Sequence, residues 1–334
     1  AGRKYLIYAL TAGALLITAI AWTYHITGTL DFRPGGMFGH ASFTRTTITV
    51  LFLLFLGGVG VKASIMPLHS WLPAAMVAPT PVSALLHAVA VVKAGVFGVL
   101  RVVGFVFGPE LMHQYGLNSL LIAFAGTTII LASLLAFRQD NLKQRLAYST
   151  ISHLSYIILG AALLSPASLT GGLMHIANHA TMKITLFFCA GAIYVHLHKE
   201  KVSELDGVGR VMPWTMGAFT LGALGLTGVP PINGFISKWQ IGLGSLQAGK
   251  MLPLAILLLS GLLNAGYFAP IIYRAFLKKA VVTYEQGEAS PAMVIPLVVT
   301  AVLSLLLGFN PDLFFHFFSL AAAVSSSILG GSGP

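Results

Sequence analysis

Three titratable side chains share a regular spacing in the segment LTGGLMHIANHATMKITLFF. His175, His179 and Lys183 stand at positions i, i+4 and i+8, which places them on one face of a helix. At 1.5 Å per residue they cover about 12 Å along the helix axis. A lone histidine in an apolar helix is more often a hydrogen-bonded packing residue. Three groups that can exchange protons on one stripe favour a proton relay instead.

Four lysines lie inside apolar runs: Lys62, Lys93, Lys183 and Lys238. A lysine at the centre of a membrane helix costs about 2.5–3.5 kcal/mol, so we expect these four to face the interior of a helical bundle. All nine acidic residues fall in loops or at span edges, so no carboxylate is placed to pair with them. Burial without a counter-charge favours neutral lysine, which suits proton transfer better than sodium binding. Snorkelling to the interface remains the alternative for Lys62 and Lys93.

Two further groups of polar residues are less decisive. His87 lies on an earlier apolar run, and Lys93 follows it by six residues, so the two do not share a helix face. In LAYSTISHLSYIIL, the residues Ser149, His153 and Tyr156 form one polar face. For this trio, hydrogen bonding between helices and a functional role are equally good interpretations.

The stretch GVPPINGFISKW interrupts a long apolar run. Pro230 and Pro231 predict a helix break, and Gly228 and Gly234 allow the chain to turn. A break frees backbone groups that lipid cannot satisfy, so it must be buried in protein or line a wet cavity. Lys238 follows directly, and we expect it to share that hydrated pocket.

The same combination occurs earlier in the chain. The run 46–81 contains Lys62 together with Pro67 and Pro73, which we also interpret as helix breaks. Paired interrupted segments in two halves of a chain are typical of transporters built from structural repeats.

The amino-acid composition indicates the class of protein. The chain has 334 residues, of which 56% are hydrophobic and 8% charged, whereas soluble domains carry about a quarter charged residues. We predict an all-α polytopic membrane protein in which residues 1–310 form one transmembrane domain. The final segment, 311–334, contains an apolar stretch (311–329) that is either a marginal span or a surface helix. The nine predicted spans are 5–26, 46–65, 82–104, 117–137, 147–164, 170–196, 214–246, 252–275 and 291–309.

The loop cations predict the orientation. Alternate loops place eleven Lys and Arg residues on one side and four on the other, and the positive-inside rule makes the richer side cytoplasmic. The N-terminus of this chain is then inside, in a multi-pass protein of the inner or plasma (cytoplasmic) membrane. The richer side holds Arg3, Lys4, Arg138, Lys143, Arg145, Lys199, Lys201, Arg210, Arg274, Lys278 and Lys279; the other holds Arg33, Arg45, Arg101 and Lys250.

Four stretches of the chain carry a recognisable combination of motifs: MPLHSWLPAAMVAPTPVSALLHAVAVVKAG (66–95), DNLKQRLAYSTISHLSY (140–156), HIANHATMKITLFF (175–188) and GVPPINGFISKW (228–239). Together they resemble the signature of the antiporter-like proton-translocating subunits of respiratory complex I, membrane-bound hydrogenases and Mrp-type sodium/proton antiporters. Among these, we expect a relative of the Mrp D-type subunits, with a hydrogenase-type relative as the alternative. The family implies two inverted repeats with broken helices around a hydrophilic axis of lysines and histidines.

The resemblance assigns expected roles by motif position. Lys62 resembles the lysine of the first broken helix, His87 the histidine of the next span, and Lys143 a connecting lysine. The stripe of His175, His179 and Lys183 matches the connecting row, and Lys238 resembles the terminal lysine near the exit. With Lys93, these residues form the predicted relay.

The chain also departs from the family pattern. The family pairs its first lysine with a glutamate on a preceding span, and this sequence has none there. The similarity starts at about the family's sixth span, so we expect an N-terminally incomplete first repeat. Asn141 stands where some members have an acid, and His153 where many have glutamine.

The sequence therefore predicts a proton-translocating subunit of a larger membrane complex. The alternatives are a non-conducting structural remnant and a sodium/proton antiporter core. We expect other membrane subunits, protons (or sodium) and the lipid bilayer as partners, and no nucleic acid, since the cations border membrane spans. No metal-ligand cluster, nucleotide loop or nucleophile arrangement is evident, so we expect no cofactor and no bond chemistry by the chain itself.

Overall fold

A computed structural model of the protein describes residues 2–39, 43–280, 284 and 287–330. All nine predicted spans correspond to helical segments, the seventh as two shorter helices. The principal helices are α1 (Gly2–Thr27), α2 (Arg45–Lys62), α3 (Thr80–Phe107), α4 (Leu117–Phe137), α5 (Leu142–Ala162), α6 (Pro166–Leu197), α7 (Pro213–Thr227), α8 (Asn233–Gln247), α9 (Met251–Phe276), α10 (Pro291–Phe309) and α11 (Phe317–Ile328).

Local sequence explains where the central helices begin. The Asn141 side chain accepts a hydrogen bond from the Gln144 amide at the start of α5. Ser165 and Ser168 form a reciprocal capping box at the start of α6, and Pro166 occupies its first turn. These caps satisfy amide groups that have no partner inside the helix. The two helices that carry half of the predicted relay residues therefore have fixed starting points.

Seven helical segments are long and apolar enough to cross a membrane among the residues described. Helix α5 is not one of the seven, although its 21 residues are long enough. It lies between α4 and α6 and buries its three serines, His153 and Tyr156 inside the bundle. Its low apolarity thus reflects a central position, where side chains of neighbouring helices replace lipid.

The first helix break follows Lys62 and ends where a short helix, Trp71–Ala74, begins. Trp71 Nε1 donates to the Val61 carbonyl at 2.7 Å, and the Met66 amide donates to Thr128 Oγ1 at 3.0 Å. Backbone groups released by the break thus find partners within the protein, as the apolar surroundings require.

The second break separates α7 from α8. Gly228 follows α7 with φ +95°, a left-handed conformation that glycine adopts without steric cost. At the other side of the break, Asn178 Nδ2 donates to the Asn233 carbonyl at 2.9 Å. Pro230 and Pro231 lie in the turn itself, as the sequence predicted.

Two predictions about the breaks were wrong in detail. Pro73 does not interrupt a helix, because it lies in the short helix Trp71–Ala74, in the first turn, where a missing amide costs nothing; Pro67 alone lies in the break. Gly234 does not help the chain turn, because it is already helical within α8. A side chain there would meet the Gly225 carbonyl, so Gly234 permits close approach of the two half-helices.

The C-terminal helix α11 has 12 residues, which is about 18 Å of helix against a hydrocarbon core of about 30 Å. It packs beside the start of α6, where Ser325 Oγ donates to the Pro166 carbonyl at 3.0 Å. Asp312 precedes it and accepts from the Ser319 hydroxyl and the amides of Phe318 and Ser319. The hydrogen bond from the Ser319 hydroxyl is the main cause that lowers the pKa of the Asp312 carboxyl.

Candidate functional site

Lys93 and His179 meet in the interior of the bundle. Lys93 Nζ, on α3, lies 2.9 Å from His179 Nδ1, on α6. Both side chains are buried. The contact excludes snorkelling for Lys93, since its amine points to α6 and not to a membrane surface. An amine and an imidazole at this distance can share a proton directly.

A second contact joins α6 to α5. His175 Nε2 lies 3.0 Å from His153 Nδ1, and His175 Nδ1 lies 2.7 Å from Ser237 Oγ on α8. The two imidazole rings are nearly parallel, with an interplanar angle of 11°. His153 was left undecided by the sequence, and the structure places it in the same row as the predicted relay. Its spacing from Ser149 was the available signal.

Lys183 completes the polar stripe on α6. Its side chain is fully buried, and its Nζ donates to the Leu146 carbonyl on α5 at 3.0 Å. The stripe His175, His179 and Lys183 therefore faces the bundle interior, as its periodicity predicted. Lys183 is not hydrogen-bonded to either histidine, so contact along the stripe is not continuous.

Lys238 lies against the end of α7 at the second break. Its Nζ donates to the Leu226 carbonyl at 2.6 Å and the Thr227 carbonyl at 3.0 Å. These carbonyls belong to the last turn of the helix, where acceptors have no intrahelical partner and the helix dipole favours a cation. The second helix break and Lys238 thus form one structural unit.

Asn264 connects the histidines to this unit, and periodicity in the sequence did not reveal it. Its Nδ2 lies 3.2 Å from His153 Nε2 and 3.2 Å from the Leu226 carbonyl oxygen, which also accepts from Lys238. Asn264 is fully buried in α9. An isolated asparagine within the apolar run 252–275 was the signal that could have identified it.

The structure does not bring three of the predicted residues into this row. Lys62 ends α2 with an exposed side chain, so the expectation of an interior position was wrong: it is the last helical residue before the break, and no neighbouring segment among the described residues covers it. His87 is buried beside the Phe187 ring, and neither of its ring nitrogens has a hydrogen-bond partner among the described residues. Lys143 is half-buried, and its Nζ lies 3.4 Å from the Ala78 carbonyl oxygen.

Lys143 also lines an open cavity of about 580 Å³ at the ends of α3, α5, α6 and α10. Its walls include the apolar side chains of Phe188 and Met293, and Glu200 on the loop after α6. The cavity lies beside the relay rather than within it, since none of the buried lysines or histidines lines it.

Carboxylates stay outside the row in the described part of the chain. The ion pairs found there are Arg33–Asp31, Arg274–Asp206 and Lys278–Asp206, all in loops or at helix ends. Glu285 lies outside the described residues. No group of His, Cys, Asp and Glu side chains able to hold a metal ion occurs among the residues described. The buried lysines instead contact carbonyl oxygens and an imidazole.

Asp140 fixes the loop after α6 against the start of α5. Its carboxylate accepts from the Ser203 amide at 3.0 Å and the Ser203 hydroxyl at 2.7 Å. Partial burial opposes ionisation, but these bonds and the nearby Arg145 and Lys201 charges outweigh it and lower the pKa of Asp140. The loop's polar contacts are therefore separate from the buried row.

Broken helices around a buried row of amines and imidazoles define a polytopic membrane protein of the antiporter-like class. Residues 1–264 match the family described as "NADH:quinone oxidoreductase/Mrp antiporter, TM". The chain belongs to this family.

Individual relatives come from different complexes. The chain is 34% identical over 282 residues to NADH-quinone oxidoreductase subunit N of Desulforudis audaxviator, covering 83% of this chain and 55% of that relative. It is 27% identical over 316 residues to the D-type subunit of the Na(+)/H(+) antiporter of Alkalihalophilus pseudofirmus, covering 94% and 63% respectively. The chain thus spans 55–63% of the length of these two relatives.

A solved structure shows the same fold. A chain in the structure of the Mrp complex from Dietzia sp. DQ12-45-1b matches with a TM-score of 0.87 over 98% of this chain and 70% of that one. The sequence identity is 22%, so this likeness concerns the fold alone. It agrees with the predicted antiporter-like architecture of broken transmembrane helices.

Proposed function

We propose that the chain is a proton-translocating subunit of a larger membrane complex, in which protons move through the buried lysines and histidines. The observation that carries the proposal is the pair of direct nitrogen–nitrogen contacts, Lys93–His179 at 2.9 Å and His153–His175 at 3.0 Å. Both pairs are buried, and in sequence their residues lie between the two helix breaks. Groups that accept and release protons are brought together there across three helices.

The two contacts are close enough to act as one row. The ring centroids of His153 and His179 are 5.5 Å apart, and those of His175 and His179 are 6.0 Å apart. Small side-chain movements can therefore pass a proton from one pair to the other. At the far end, Asn264 and Lys238 share the Leu226 carbonyl, so Lys238 is the terminal member of the row.

The same row argues against a sodium-binding core. Sodium requires oxygen ligands, and hard cations are bound by carboxylates and carbonyls together. The oxygens nearest the second break, the carbonyls of Leu226 and Thr227, already accept from the Lys238 amine. A cation at this position would face an ammonium group instead of a carboxylate.

The relatives suggest the partners of the chain, and the loop cations suggest its orientation in the membrane. Their names describe subunits of an NADH-quinone oxidoreductase and of a sodium/proton antiporter, so we propose that this chain also assembles with other membrane subunits. We place it in the inner or cytoplasmic membrane with its N-terminal end facing the cytoplasm, on the distribution of loop cations. Lys62, His87 and Lys143 belong to the proposed pathway by motif position alone.

The test uses two substitutions at Lys238 in the assembled complex. Lys238→Met keeps the side-chain length but cannot titrate, so proton pumping into vesicles should fall at least about tenfold. Lys238→Arg can still donate to the Leu226 and Thr227 carbonyls but holds its proton too tightly to release it. Proton pumping by Lys238→Arg should therefore also fall, although the arginine still supplies hydrogen-bond donors to the second break.

The control is Lys250→Met, which changes a lysine on the loop between α8 and α9 and should pump normally. Subunit incorporation is measured for each variant. Near-normal pumping by an assembled Lys238→Arg protein would leave Lys238 as a fixed charge and remove the relay. A non-conducting structural role predicts that Lys238→Met impairs only assembly.

A further inference from the structure

Asn264 occupies a junction between the histidine row and the second helix break. Its Nδ2 faces His153 Nε2 and the Leu226 carbonyl, both at 3.2 Å, with the Tyr156 hydroxyl oxygen at 3.3 Å. Its Oδ1 lies 2.6 Å from Tyr267 Oη. The side chain is fully buried. An amide held at both ends in this way has little freedom to rotate.

The Leu226 contact fixes which end of the amide faces the histidine. A backbone carbonyl oxygen can only accept a hydrogen bond, so the Asn264 group facing it must be the NH₂. The same nitrogen faces His153 Nε2. The Tyr267 hydroxyl, which can donate, stands at the opposite end and suits the amide oxygen. The orientation of Asn264 therefore follows from its partners.

This orientation determines the tautomers of two histidines. The amide nitrogen of Asn264 cannot accept a hydrogen bond, so a proton on His153 Nε2 would point at the NH₂ hydrogens without an acceptor. Nε2 is therefore the unprotonated nitrogen, and a neutral His153 carries its proton on Nδ1. His153 Nδ1 donates to His175 Nε2, so the His175 proton is on Nδ1. His175 Nδ1 in turn donates to Ser237 Oγ, whose own hydroxyl donates to the Gly234 carbonyl at 3.2 Å.

We infer that Asn264 is a positioning residue that sets the tautomers of His153 and His175 and so gives their hydrogen-bond chain a single direction. Every donor in the chain points from Asn264 toward α8. The inference deepens the proposed function and rests on it for its purpose: a chain with one direction must be reset after each proton has passed. The tautomers themselves follow from geometry and do not depend on transport.

The test reads the tautomers directly. The full chain, in its native membranes and with ring-¹⁵N histidine, is studied by solid-state NMR, and His153 signals are identified by their loss in His153→Gln. The wild-type protein should show His153 protonated at Nδ1 and unprotonated at Nε2. A wild-type His153 protonated at Nε2 overturns the inference without any Asn264 variant.

Two substitutions in α9 then separate positioning from packing. Asn264→Leu keeps the size of the side chain but removes the donor, so a second His153 tautomer should appear and proton pumping should fall about tenfold. The control is Ser260→Ala, one turn earlier, because the Ser260 hydroxyl bonds the Tyr156 hydroxyl and no histidine. Tyr156 Oη also lies 3.3 Å from Asn264 Nδ2, but the control keeps the Leu226 carbonyl that orients the amide, so the His153 tautomer should be unchanged. An Asn264→Leu protein with the wild-type tautomer contradicts the inference, whether or not pumping falls. Normal pumping by Lys238→Arg contradicts the proposed function instead, and leaves the tautomer result standing.

Discussion

At the scale of single residues, the buried lysines are stabilised by acceptors that carry no full charge. Lys183 donates to the Leu146 carbonyl, and Lys238 donates to two carbonyls at the end of α7. A carboxylate partner would hold a lysine firmly in its charged form. Carbonyl and imidazole partners stabilise the ammonium less, so the difference between the charged and neutral forms is smaller. This is the property that a proton-exchanging lysine needs.

The Lys93–His179 contact leads to a prediction about coupling. Lys93→Met and His179→Phe should each reduce proton pumping at least about tenfold, because either change removes the direct contact between α3 and α6. The double variant should pump at about the rate of the single variant that pumps more slowly, since residues that act as one unit have non-additive effects. Pumping is measured in vesicles with equal subunit incorporation.

A matched control for this pair is His113→Phe, in the short helix Pro109–Gln114, where the histidine side chain is exposed. It should pump normally. If the effects of Lys93→Met and His179→Phe multiply in the double variant, the two residues act independently, and the observed contact has no part in transport.

The sequence predicted the members of each stripe better than their partners. Helical periodicity alone showed that His175, His179 and Lys183 share a face. It could not show that His153 meets His175, because contacts between helices depend on how the helices are packed and rotated. The interior position expected for Lys62 failed for a related reason: whether the end of α2 is covered depends on helix packing, which apolar neighbours in sequence do not show.

At the scale of the elements, a glycine on a neighbouring helix packs against each break. A side chain at Gly95, on α3, would meet the backbone of Lys62 and Ala63. A side chain at Gly308, on α10, would meet the Pro231 carbonyl and the Asn233 amide. Proline and glycine clusters predicted where the breaks fall. These distant glycines could not be recognised from the sequence, since they lie in other helices.

Gly308→Ala tests the packing at the second break. The added methyl group overlaps backbone atoms that cannot move freely, so the variant should be destabilised by about 1–3 kcal/mol. Gly217→Ala, on α7, is the control, because a Cβ there meets nothing within 4 Å. It should be neutral or stabilising by about 0.5–1 kcal/mol, as alanine is favoured over glycine in helices.

Thermal unfolding of the two purified variants in the same detergent measures this difference. Both substitutions change helix propensity alike, so a lower melting temperature for Gly308→Ala alone reports the contact with the break. Equal melting temperatures would show that α10 can shift without disturbing Pro231, and the proposed tight support of the break would be withdrawn.

At the scale of the whole molecule, the loops predicted to face the cytoplasm pack on one another. The Val202 amide donates to the Asp140 carbonyl at 2.7 Å, and Arg274 pairs with Asp206 at 2.8 Å. These contacts join the loops after α4, α6 and α9 on one side of the bundle. One of the eleven cations counted there, Arg145, is in fact buried and donates to the Tyr267 carbonyl. The remaining ten still outnumber the four on the other side.

Cysteine labelling tests the orientation that this asymmetry predicts. Ser203→Cys places a thiol on an exposed position of the loop after α6, and it should react with a membrane-impermeant maleimide only after cells are opened. Gln114→Cys, exposed in the short helix on the opposite side, is the matched control and should react in intact cells. The native Cys189 is fully buried, so the unmodified protein should give little background. Reaction of Ser203→Cys in intact cells, with Gln114→Cys protected until lysis, would reverse the proposed orientation.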